Sequence, residues 1–105
     1  MYTKVNVKDL KIPAINWLIA QYEGENTAPN YWHLHEYATN YNDGIPIVER
    51  EGILLMPKAE GGYLATKSYD ECEISQSGPN IIMAGLLCVI AIQYGDEVHI
   101  PTTLA

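Results

Sequence analysis

Phenylalanine is absent from these 105 residues, arginine occurs once, and there are only two cysteines. Each scarcity excludes something. Without Phe, every large ring is one of eight Tyr or two Trp, so each carries a polar atom that needs a hydrogen-bond partner or a wet interface. With five Lys and the single Arg50 spread thinly, the chain lacks the basic patch that gives nucleic-acid binders most of their affinity. The same shortage disfavours anionic lipid surfaces. Two cysteines are too few for a disulfide-held exported domain, so a reducing cytoplasm is the simpler setting. Cys72 sits between Glu71 and Glu73, poor surroundings for an activated nucleophile, and Cys88 lies in an apolar run. That run, Ile81 to Ile92, is the longest, and its twelve residues fall short of the roughly twenty that a membrane-spanning helix needs. The N-terminal stretch carries Lys4, Lys8, Asp9 and Lys11 where a secretion signal would be apolar. No repeat or low-complexity tract is present.

What is there is a chain with 48% hydrophobic and 18% charged residues, too apolar for disorder and of single-domain length, so residues 1–105 read as one domain. Thirteen acids against six bases leave a formal charge of −7, which suits a basic partner protein.

Two helices bracket a turn-rich middle. Pro13 suits a first helical position and Gly24 a C-terminal cap, and Ile12, Ile15, Ile19 and Tyr22 recur at helical spacing between them, widened by Leu18. Trp17 falls beside this stripe, either packing there or roofing a pocket. The second helix follows Ser77-Gly78-Pro79, runs from about Asn80 to Tyr94 and ends at Gly95. It is apolar all round, the pattern of an enclosed helix, which is demanding in so small a domain. Ala84, Cys88 and Ala91 form a small-residue stripe along it. That stripe packs either on the domain's own sheet or on the same helix of a second copy, making these residues a candidate homodimer interface. Between the helices, residues 52–58 and 62–69 read as a hairpin joined by Ala59-Glu60-Gly61, with Pro57 pushing the first run to a sheet edge or ending it early. Residues 45–51 read as helix or strand without decision, and short strands are expected at Lys4 to Val7 and Val98 to Ile100. The expected architecture is α+β, a small antiparallel sheet packed against two main helices.

Candidate chemistry is sparse. His33 and His35 share one strand face, but a zinc site needs three or four ligands and His99 has no spacing that links it to them, so no metal is assigned. No nucleophile elbow or phosphate loop occurs, and the acids at Glu49/Glu51 and Asp70/Glu71/Glu73 suit solvated faces as well as catalysis. Neither a catalytic residue nor a cofactor is assigned. The recognition-like stretch is Tyr31-Trp32 followed by Tyr37-Ala38-Thr39-Asn40-Tyr41-Asn42-Asp43-Gly44, where rings supply flat contact and Asn and Thr supply hydrogen bonds. Trp17, Trp32, Tyr37, Thr39, Asn40, Tyr41 and Arg50 are the candidate ligand or partner residues. Arg50, between Glu49 and Glu51, either holds an anionic ligand bidentately or forms a structural ion pair.

Several segments together resemble the small phage and prophage proteins of the NinX-like family, a domain of unknown function. They are Gly78-Pro79, Ala84, Cys88 and Ala91, Gly95-Asp96-Glu97-Val98 and Pro101, with the first helix closing at Gly24, Tyr37 to Tyr41, Ile45 to Arg50 and Tyr63-x-Ala65. Leu87 stands where that family commonly has Arg, so any role of the Arg is missing or changed here. The resemblance implies a phage-encoded accessory protein in the bacterial host cytoplasm and carries no activity with it. The expected function is non-enzymatic capture of a host protein or small molecule, with counter-defence as one role open to it. The alternative is a small enzyme on nucleotides or peptides that uses His33 or His35 with a carboxylate as general base.

Overall fold

The all-round apolar helix is the axis of the molecule. In the computed structural model, which describes residues 1–25 and 36–105, helix α3 spans Ile81–Tyr94 and is buried over nearly its whole length from Ile82 to Ala91. Its N-terminus is closed by Asn80, whose side-chain oxygen accepts the Met83 N–H at 3.0 Å. Gly95 ends it with φ +87, a conformation side chains resist.

Three other layers enclose α3. Helix α1, Ile12–Tyr22, lays Ile15, Leu18 and Ile19 into the main core. The stretch left undecided by sequence is helix α2, within Tyr41–Arg50, which adds Ile47 and Val48. On the remaining side lies an antiparallel sheet of β2 (Leu54–Pro57), β3 (Tyr63–Ser68) and β4 (Glu73–Gly78), in that order. Its registers pair Leu55 with Ala65 and Ala65 with Gln76. Strands β1 (Tyr2–Asn6) and β5 (Glu97–Pro101) pair separately, with Lys4 opposite His99. The fold is therefore α+β, with three α-helices and two small antiparallel sheets among the described residues.

Four expectations change in detail. Among the described residues there are two sheets instead of one, because β1 and β5 pair with each other and not with the other three strands. Strand β4 is new: Glu73-Ile74-Ser75-Gln76-Ser77-Gly78 has one apolar residue, and what makes it a strand is its pairing with β3. Ile12 is 38% exposed, since it opens α1 ahead of Pro13 and lies at the margin of the core. The small-residue stripe is filled from within the chain: Ala84 and Cys88 are fully buried with Ala65 beneath the three-stranded sheet, and Ala91 belongs to the main core. All three residues thus pack within the chain, Ala84 and Cys88 on its own sheet and Ala91 in the main core.

Close approach explains two glycines. A Cβ on Gly85 would lie 2.6 Å from Val48 Cγ2, so α2 and α3 meet here at backbone distance. A Cβ on Gly44 would lie 2.3 Å from the Tyr37 carbonyl oxygen, which fixes the turn before α2 against that helix's first turn.

Candidate functional site

Asn40 begins the site. Its side chain accepts the Asn42 N–H at 2.9 Å and so caps α2, while Thr39 and Asn40 donate their own amides to the Glu36 carbonyl. That turn sets Tyr41 outward, 57% exposed, and lays Asn42 and Asp43 along the first turn of the helix. Pro46 has no N–H to offer the Asn42 carbonyl four residues back, so an acceptor is released there from helix pairing. Tyr37 tucks under this turn, buried, and its hydroxyl donates to the Glu25 carboxylate.

The far wall comes from the end of α1. Arg50 donates from Nη1 and Nη2 to both oxygens of Glu23 at 3.0 and 2.5 Å, and from Nε to Glu51 at 3.1 Å. It also lies 5.8 Å from the centre of the Tyr22 ring. The two carboxylates hold the guanidinium pKa above its ordinary value, Glu23 first. Burial raises the Tyr22 phenol, and the Glu51 carboxylate adds to the effect. Between these walls is an open cleft of about 350 Å³, lined by Glu23, Tyr37, Asn42, Asp43, Ile47 and Arg50 with Pro46 at its edge.

Of the candidate residues, Tyr37 and Arg50 share this cleft, and Asn40 and Tyr41 belong to the turn and helix start that form its wall. Thr39 is exposed on the preceding turn. Trp17 is elsewhere, buried beside a smaller cleft of about 220 Å³ with Gln21, Tyr94 and His99, and its ring is 6.5 Å from that of Tyr2. Tyr31, Trp32, His33 and His35 lie outside the described residues. Among the described residues no three His, Cys, Asp or Glu side chains gather as a metal site, and no helix is long and apolar enough to cross a membrane. Leu87 is buried in the main core, where its aliphatic side chain is packing material. Asn42 and Asp43 belong to the recognition-like stretch but not to the candidate residues drawn from it, and Glu23 and Pro46 were not singled out from sequence. Asn42-Asp43 has the composition of a turn, and nothing local links Glu23 to a guanidinium twenty-seven residues on.

Electrostatically the cleft is an acceptor. Its cation, Arg50, is paired with Glu23 and Glu51 while half of its side chain stays exposed, and the cleft's further polar groups include the Asp43 carboxylate and the Asn42 amide. Of its two alternatives, Arg50 makes the ion pair here, placing three of its five N–H donors on the two carboxylates. Neither a scan against family models nor a search of curated proteins finds a match to this chain.

Proposed function

We propose that this chain is an accessory binding protein of the bacterial cytoplasm, encoded by a phage, that captures a host protein or small molecule through a positively charged or donor-rich group. The observation that carries the binding role is the cleft between α1 and α2, where Asp43 and Asn42 line the wall and the arginine beside them is paired with carboxylates. A net charge of −7 draws the same class of ligand from a distance. The phage setting rests on the NinX-like resemblance of the C-terminal helix and its exit.

The test is recovery of the tagged protein from infected bacteria, with mass spectrometry of the proteins and small molecules held by it. Wild-type protein is expected to retain a discrete basic partner or ligand, and the folded Asp43→Lys variant to retain at least tenfold less. Equal retention by the two would overturn the reading.

A further inference from the structure

The three-stranded sheet has two outer edges, and they differ. At the β3–β4 turn, Tyr69 N–H donates to the Cys72 carbonyl at 2.7 Å across the two-residue loop Asp70-Glu71. Directly opposed residues of an antiparallel pair alternate between exchanging hydrogen bonds and not. The register Lys67–Ile74, Ala65–Gln76, Tyr63–Gly78 therefore holds the bonded pairs, and Glu73, Ser75 and Ser77 point their N–H and C=O groups away from β3. The same reasoning applies at β2, where Lys58 N–H donates to the Gly62 carbonyl at 3.0 Å and Pro57 faces Tyr63. There the outward groups belong to Leu55 and Pro57, and proline has no N–H. One edge is thus blocked by proline, a usual protection of free edges.

The β4 edge has no such block, and it borders a groove. Ser75, Gln76 and Ser77 all line one cleft of about 610 Å³ with Leu64. By register Leu64, Ser75 and Ser77 share one face of the sheet, and Gln76, on the opposite face, joins them at the edge of β4, so the cleft spans that face and the strand's edge. Across the gap stand Asn6, Lys8 and Asp96, and Asp96 is held there by the Val7 N–H, which donates to its carbonyl at 2.8 Å. Among the described residues no backbone group pairs with Ser75 or Ser77 on this side.

We infer that this groove takes an extended segment of a basic partner protein as an added strand against β4. Main-chain hydrogen bonds to Ser75 and Ser77 supply affinity, and acids around the groove select the sign of charge. Glu73 closes one end of the strand beside Asp70 and Glu71, and Asp96 stands in the opposite wall. Of the nearby bases, Lys8 lines the groove, and Lys58 is shared between Glu60 at 3.3 Å and the Ser77 hydroxyl at 3.4 Å. A second copy of the chain would bring another −7 to the same edge, whereas a basic strand relieves that charge. The groove shares no lining residue with the α1–α2 cleft, so it is a separate site.

The probe is a fluorescein-labelled octapeptide of lysines alternating with Val and Thr, titrated into the full chain and followed by anisotropy and amide NMR. Saturable binding is expected, with the largest amide shifts at Ser75 and Ser77. Methylating alternate backbone nitrogens of the peptide, which removes its donors and keeps its charge, should weaken binding at least tenfold, and a glutamate version should not bind. Ser75→Pro, checked for fold by circular dichroism, should lose the same factor, since it removes the outward N–H and spares the β3–β4 ladder, losing besides only the hydroxyl bond to Thr66 at 3.1 Å. Asp43→Lys should leave peptide binding unchanged, which separates this groove from the cleft. Absence of saturable binding, equal binding by the methylated peptide, or amide shifts centred on α2 would overturn the proposal. Should Ser75→Pro unfold, the methylated peptide decides the matter alone.

Discussion

Cys88 is fully buried beneath the sheet, and its thiol donates to the Ile74 carbonyl across 3.6 Å. Burial pushes its pKa up from 9.0 to about 11, with Lys67 opposing the shift weakly. Between these values the folded state holds a proton that the unfolded state has lost, so stability falls as pH rises. The contribution is complete below pH 9 and disappears as pH passes through 11. Urea unfolding should therefore show wild-type protein losing about 2 kcal/mol relative to Cys88→Ala between pH 9 and 11, with a constant difference below pH 8. A constant difference throughout would mean that Cys88 is wet. Arg50 teaches a different lesson at the same scale. A lone guanidinium between two glutamates in sequence could have faced a ligand, yet it reaches across to Glu23 and stacks near Tyr22. Only Glu51, its sequence neighbour, was a partner that adjacency could suggest.

At the scale of elements, the contact of α2 with α3 depends on one missing Cβ. Alanine at position 85 would gain helix propensity of roughly 1 kcal/mol, but its methyl would meet both Val48 methyl carbons, at 2.6 and 2.8 Å. Val48 is buried and β-branched, so it has little freedom to turn aside. Gly85→Ala is expected to destabilise by about 1–3 kcal/mol despite the propensity gain. Val48→Ala in the same chain should recover part of that loss, an interaction visible in a double-mutant cycle of urea midpoints. The boundaries of α3 were legible because their signals are local: Asn80 caps one end and Gly95 ends the other within a single turn. The hairpin of β2 and β3 was legible for the same reason, through Gly61 and Gly62 with φ +106 and +77. Strand β4 was not, since Ser, Gln and Gly have little preference for strands and its pairing partner is an already formed hairpin.

At the scale of the molecule, the question is how 105 residues enclose a helix with no polar face. Two helices cover one side, the three-stranded sheet covers the stripe of Ala84 and Cys88, and the paired strands β1 and β5 bring Val98 and Ile100 into the core. With that stripe already covered, light scattering should give a mass near 11.7 kDa across the micromolar range. A mass that doubles with concentration would show that another surface joins two copies. The sequence by itself determined the helix ends, the closing glycines of the hairpin, the proline-blocked edge and the acidic charge, because each of these acts within a few residues or through composition. Only the tertiary structure decided that Glu23 meets Arg50, that the stripe on α3 is filled from within, and that β4 keeps one edge open opposite Lys8 and Asp96. Those outcomes depend on which distant segments share the same space, and a hydrophobic pattern that runs all round a helix carries no direction from which to read it.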